Sequence, residues 1–431
     1  MKNFGSKLNF IFLFVVVLIL LFGNDSYSID QGKEVSIDSG DTAWMIVSCA
    51  FVLLMTPGLA FFYGGMVNIK NIISTMLQSF VALGVISIVW VLIGFSLAFG
   101  DSFYGIIGSP LTYFNFQNVT LAPHPDFGST IPFLLFAFFQ LKFAIITPAI
   151  ISGSFAERIR FRSYILFMLL FTIFIYSPLA HMTWHPDGIF RKWGVLDFAG
   201  GTVVHMSAGL AALSGAMFLG QRKKIEEKPA NIPFVILGTG LLWFGWFGFN
   251  SGSALGANLD AAIAFANTNL ASATSMITWI FYDRFTNKKM TALGACIGAI
   301  VGLVAITPAA GFVTLGQSAF IGFLASIISN IAIGITKKSN IDDTLDVFPS
   351  HGVEGIVGMI LTAVFASNVG LIYGDSSVFL YHLITILITI VFTLFMSYLL
   401  LKIVDSVLPL RVREDQEERG LDASQHGELY N

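Results

Sequence analysis

The sequence predicts an all-α integral membrane protein: eleven transmembrane helices in two inverted five-helix halves plus an eleventh helix, after a cleaved signal peptide. Three observations carry this. Of 431 residues, 55% are hydrophobic and 11% charged, against about 25% charged in a soluble domain. Eleven apolar segments follow the first forty residues, each near the ~20 residues that a helical span needs. Lys and Arg collect in alternate loops, as they do on the inner side of a membrane.

The N-terminus comes first. Lys2 and Lys7 precede the apolar run Leu8–Gly23, followed by Asn24, Asp25 and Ser26-Tyr27-Ser28. A basic n-region, an h-region and a small-residue site read as a signal peptide over 1–28, cut near Ser28. The competing reading is an uncleaved first span. Residues 29–407 then form the transmembrane domain and 408–431 a charged tail.

The spans are expected near 42–67, 73–99, 130–153, 163–183, 195–220, 232–251, 258–282, 291–306, 311–336, 349–367 and 378–407. With the mature N-terminus outside, the inner loops receive Lys70, then Arg158, Arg160 and Arg162. They also receive Arg222, Lys223, Lys224 and Lys228, then Arg284, Lys288 and Lys289, then Lys337 and Lys338. Lys402, Arg411, Arg413 and Arg419 follow, leaving only Lys33, Arg191 and Lys192 outside. This places a multi-pass protein in the cell (inner) membrane, N-terminus out and C-terminus in. The long outer segment from Asp101 to Gly128 carries Tyr104, Tyr113, Phe114 and Phe116 and is expected to pack over the outer surface. Five spans per half force the halves into opposite orientation.

The formal charge of −3 and the lack of a basic stretch point to no nucleic-acid partner. Cys49 and Cys296 lie in apolar segments without a ligand spacing and read as small core residues. No His-Glu-x-x-His occurs, so neither a metal nor another cofactor is expected, and no nucleophile motif suggests an enzyme.

Polar residues inside spans are costly and count as functional candidates. The stretch Val195–Gly209 holds Asp197 and His205, expected on one helix about 12 Å apart along its axis. Asp197 near the helix start also fits an N-cap. The tenth span carries His351 too close to its inner end to cross a ~30 Å core unless Val347–Ser350 dips inward. Both imidazoles then sit near mid-depth, either as a hydrogen-bonded pair or as satisfied core residues. Trp184 and Phe139 are candidates for cation–π contact. Lys142 and Glu354 are opposite charges within spans, expected to pair across the interior; the alternative is that Lys142 snorkels or sits neutral.

The chain resembles the ammonium transporter family (Amt/Mep/Rh). The resemblance rests on Pro57-Gly-Leu-Ala-Phe-Phe-Tyr-Gly-Gly65, Ser154-Phe-Ala-Glu-Arg-Ile-Arg160, Asp197-Phe-Ala-Gly-Gly-Thr-Val-Val-His205, Gly245-Trp-Phe-Gly-Phe-Asn250, Asp346-Val-Phe-Pro-Ser-His-Gly352 and the tail Gly420-Leu-Asp with His426-Gly-Glu428. It implies ammonium or ammonia as substrate, methylammonium as analogue, a lipid-embedded homotrimer and one pore per subunit. It also implies a P-II-type regulatory protein at the cytoplasmic face as partner. By motif position, Trp184, Phe139 and Ser253 would recruit ammonium with Asp197 beside them. Phe143 and Phe249 would form a stacked gate, and His205 and His351 the pore pair. Lys142 and Glu354 depart from the family pattern, which has small or neutral residues there. An ammonium sensor on the same scaffold is the alternative; sensors of that sort carry a fused signalling domain, for which the tail is short.

Overall fold

The structure, a computed structural model, describes residues 2–21, 36–225, 228–374 and 376–430. Helices occupy all eleven apolar segments. After the N-terminal helix α1 (Lys2–Leu21) come α2 (Ser39–Met66), α3 (Ile69–Phe99), α4 (Phe133–Phe155), α5 (Phe161–Lys192), α6 (Gly201–Leu219) and α7 (Ile232–Ala254). They are followed by α8 (Leu259–Phe285), then α9 (Ala292–Ile306), α10 (Leu315–Lys338), α11 (Phe348–Phe365) and α12 (Ser376–Val407). Among the described residues, nine helices are long and apolar enough to cross a membrane. α9 has 15 residues, and the apolar sequence of the continuous helix α8 is interrupted by Asn267, Thr268 and Ser272, all buried. The expected cleavage site near Ser28 lies outside the described residues.

The core follows from side-chain size. α2 and α7, the first helices of the two halves, pack along most of their lengths. Glycines make this possible: a Cβ on Gly65 would meet the Asn231 carbonyl and Val235, and one on Gly245 would meet Met55 and the Phe51 carbonyl. Small residues let two backbones approach closely where lipid supplies no hydrophobic drive. The same device joins α6 to α11, where a Cβ on Gly209 would run into the backbone of Gly352. The segment 101–128 folds over one end of the bundle with a two-stranded ribbon, Ser102–Phe103 against Ile107–Gly108, and buries Tyr113 and Phe116.

The other end, here the tail face, is closed by charge. Arg222 reaches Glu157 at 2.7 Å and Asp342 at 2.8 Å, joining segments from both halves. Burial raises the cost of the Asp342 carboxylate, but its Arg222 partner and nearby Arg158 hold it below the usual range. Residues 408–430 lie against this face. Asp422 accepts the N–H groups of Ile73 and Ser74 at the start of α3, and Gln425 accepts that of Phe161 at the start of α5. Arg411 donates to the Leu219 and Gln221 carbonyls at the end of α6, and Tyr430 meets Asn231 at the start of α7.

One expectation is corrected here. Asp197 and His205 do not share a helix. Gly200 adopts φ 117°, in the left-handed region, and α6 starts only at Gly201. The aspartate precedes the helix instead of riding on it.

Candidate functional site

Asp197 organises the end of α6 away from the tail. Its Oδ1 accepts the N–H groups of Gly200 and Gly201 at 2.7 and 2.6 Å. Its Oδ2 accepts the N–H and hydroxyl of Thr202 at 2.8 and 2.5 Å. The first amides of a helix have no intrahelical partner, and a carboxylate there satisfies them and complements the helix dipole. With four donors on two oxygens, Asp197 is a structural cap. Its carbonyl accepts the indole N–H of Trp184 at 3.0 Å, which fixes that ring.

Trp184 lies edge-on to Phe143, ring centroids 5.9 Å apart at 80°. Phe139 meets Phe143 at 5.0 Å, and Phe143 meets Phe249 at 4.2 Å with 32° between their planes. The Ser253 hydroxyl donates to the Phe249 carbonyl at 2.8 Å, so its oxygen lone pairs remain available to a cation. The structure therefore gathers Trp184, Phe139, Phe143, Phe249 and Ser253 around one point, although they come from three helices.

Beneath Phe249 lie the histidines. His205 Nδ1 and His351 Nδ1 are 3.3 Å apart, with rings 5.4 Å apart and 24° from parallel. Two facing ring nitrogens require one donor and one acceptor, so the pair holds a single shared proton between neutral rings. Each histidine sits in a π-helical turn, Gly201–Met206 and Phe348–Val353; such widened turns recur at functional sites. The two histidine-bearing turns also share a kind of cap. Asp343 accepts the N–H of Phe348 at 2.7 Å as Asp197 does at α6, and burial pushes its carboxyl up.

Space runs past this pair in series. A cavity of about 10 Å³, lined by Phe62, Ile146, Phe249, Trp246, His205 and His351, lies on one side. A second of about 10 Å³ shares Phe62, Ile300 and His351 with it and continues along Met66, Ile297 and Leu345. Those last three also line a basin of about 400 Å³ at the tail face, which adds Asp342, Asp343 and Asp346. Each small cavity has room for one water-sized molecule. His205 Nε2 is buried without a hydrogen-bond partner.

The model of the Ammonium Transporter Family matches residues 43–430. The chain belongs to that family. The chain is 45% identical to the ammonium transporter of Aquifex aeolicus over 426 residues, 97% of this chain and 99% of that one. It is 46% identical to the ammonium transporter of Bacillus subtilis over 398 residues, 90% of this chain and 98% of that one. Among solved structures it is similar to Saccharomyces cerevisiae Mep2, with TM-score 0.82 and 33% identity over 88% of this chain and 89% of that one.

Within this family member, one expected contact is absent. Lys142 and Glu354 do not pair. The Lys142 ammonium lies 5.6 Å from the Phe138 ring centroid on its own helix, and both Glu354 carboxyl oxygens are buried without a partner. On α4, Phe139 and Phe143 meet the Trp184–Phe249 cluster, whereas the Lys142 ammonium lies by Phe138 one turn earlier and near the Cys49 thiol of α2.

Two residues escaped the sequence reading. Trp246 stacks on His205, centroids 5.4 Å apart and planes 16° apart, held by its N–H bond to Thr307 at 2.9 Å. Its position three residues before Phe249 puts both rings on one helix face, a spacing visible in Gly245–Asn250. Asp343 carried no such signal, because its partner amide follows a loop.

Proposed function

We propose that this chain carries ammonium across a membrane by recruiting the cation at an aromatic vestibule, removing a proton and passing ammonia along the histidine-lined path, with or without the proton. Trp184, Phe139 and Ser253 recruit, with Asp197 holding Trp184 in place. Phe143 and Phe249 gate. His205 and His351 line the pore. The observation that carries this is the narrow path beneath Phe249: its small cavities each admit one water-sized molecule, and both are lined by the His351 imidazole among mostly apolar side chains.

The physics favours a neutral traveller. Ammonium and potassium are similar in size, so width alone cannot sort them. An intact ion entering an apolar bore loses its hydration at large cost, whereas ammonia does not, and potassium has no proton to shed.

In this reading residues 1–28 are a signal peptide, and 29–407 cross the cell (inner) membrane eleven times in two inverted halves plus a last helix. The N-terminus lies outside and the tail 408–431 faces the cytoplasm. The protein works as a homotrimer, and a P-II-type protein docks on the cytoplasmic face. Proteoliposomes given ammonium or methylammonium gradients test the central claim. Uptake is expected with wild-type protein and should fall at least about tenfold in His205→Ala, as losing a proton-handling group commonly costs, and should also fall in Phe249→Ala, which removes the ring packed on Phe143 at 4.2 Å. Equal uptake by wild type and both variants would refute the assigned path.

A further inference from the structure

The segment 101–128 and the end of α5 carry the same tripeptide, His124-Pro125-Asp126 and His185-Pro186-Asp187. Both copies fold alike: the aspartate N–H donates to the histidine Nδ1, at 3.2 Å in the first and 3.0 Å in the second. A neutral imidazole holds one proton, so with Nδ1 accepting, each ring keeps its proton on Nε2 as a donor. The two turns line one cavity of about 710 Å³ at the end of the bundle away from the tail. The transport path makes no use of it. His185 is buried, at 8% exposure, and among the described residues its Nε2 meets no acceptor.

The other walls are aromatic and acidic. Phe99, Tyr113 and Phe127 line the cavity as buried rings, and Tyr104 lies at its rim with 94% of its surface exposed. The ribbon that carries Tyr104 is pinned to α5. Ser102 Oγ accepts the Gly105 N–H and donates to His181 Nε2, and His181 Nδ1 donates to the Ala98 carbonyl. Asp101 uses Oδ2 for the Thr112 hydroxyl. Asp187 is held by Lys192 at 2.7 Å, while Asp126 and Asp101 face the same space without a cation beside them.

These groups sort the ligand classes. A transition metal needs an imidazole lone pair, and both rings show the cavity an N–H. Among the described residues no group of three His, Cys, Asp or Glu side chains has a geometry that could hold a metal ion. An anion meets two carboxylates. A simple cation meets two N–H groups that turn their positive ends toward it. A sugar ring satisfies every group at once. Its hydroxyls donate to carboxylates, its oxygens accept from the imidazoles, and its C–H face lies on aromatic rings. The volume also falls within the about 300–1,000 Å³ of small-molecule sites.

We propose that this cavity binds a neutral saccharide of one or two pyranose rings. His124 and His185 donate to it, Asp101 and Asp126 accept from it, and Tyr104 gives the stacking face. On the topology assigned above the cavity opens outward, so the source is a free sugar or the glycan of a cell envelope. The binding itself does not rest on the transport path.

The test is ligand-observed saturation-transfer NMR on full-length protein in lipid nanodiscs, free of glycoside detergents. The probes are cellobiose, which offers hydroxyls alone, and N,N′-diacetylchitobiose, whose acetamido groups mark an envelope glycan. Saturable binding of at least one is expected, and the tighter of the two identifies the source. Tyr104→Ala and Asp126→Ala change exposed side chains, so both should melt as wild type does. Each is expected to weaken binding at least about tenfold, the cost of a lost contact to a charged or stacking group. Ammonium uptake by both is expected to match wild type. No saturable binding of either probe overturns the proposal, as does binding undiminished in both variants. Loss of uptake in either variant would join the cavity to the transport path and overturn its assignment as a separate site.

Discussion

His205 and His351 stand 146 positions apart in the chain and meet through their Nδ1 atoms at 3.3 Å. Each rides a π-helical turn capped by an aspartate, and the turns are brought together by two glycines, Gly209 and Gly352. This meeting point organises what the molecule is expected to do under mutation.

Because each imidazole satisfies the other, removing one strands its partner's nitrogen in an apolar site, at about 1–3 kcal/mol. His205→Ala and His351→Ala are each expected to lower the melting temperature, and the double variant by clearly less than the sum. Additive shifts would show that the two rings are not coupled.

Gly209→Ala is expected to cost about 1–3 kcal/mol and to abolish transport, because the new methyl meets rigid backbone at Gly352. Gly84→Ala is the control, since a Cβ there meets nothing within 4 Å. Comparable melting temperatures for the two variants would contradict the close approach.

Lys142 and Glu354 make no contact, so exchanging their charges should not compensate. Lys142→Glu combined with Glu354→Lys is expected to be no more stable and no more active than the worse single variant. Lys142→Met should fold, its ammonium lying by the Phe138 ring and the Cys49 thiol with no carboxylate partner among the described residues. Rescue by the double exchange, scored by membrane expression and uptake, would overturn this.

Asp346 carries a pH dependence. Burial pushes its carboxyl from 3.8 up to about 7, with Lys337 pulling the other way. Between those values the folded protein binds the proton more tightly than the unfolded chain. The stability contributed by that proton is full below about pH 4 and is lost as pH rises through about 7. Melting temperatures of wild type should therefore decline more steeply from about pH 5 to about pH 8 than those of Asp346→Asn. Parallel curves would rule the group out.

Much of the fold was legible because hydrophobic length is a strong signal: each apolar run became a helix, and the family motifs hold Phe249, His205 and His351, which the structure brings together. Two things were hidden. Hydropathy does not register a backbone break, and the pair Gly200-Gly201 set Asp197 off the helix that a continuous apolar run suggested. Spacing along one helix also says nothing of how two helices are rotated, so Lys142 and Glu354 looked like partners until each was seen to face a different neighbour. The Arg222 cluster with Glu157 and Asp342 was hidden for the same reason, since its members come from three distant loops.

Two cavities in series, each about 10 Å³ and sharing Phe62, Ile300 and His351, leave no room for one molecule to overtake another. On the proposed path, movement through them is single file. Tracer ammonia entering from one side then has to wait for, or be pushed back by, unlabelled ammonia from the other, so opposing one-way fluxes interfere rather than run independently. The narrowest stretch of the protein thereby sets a queue.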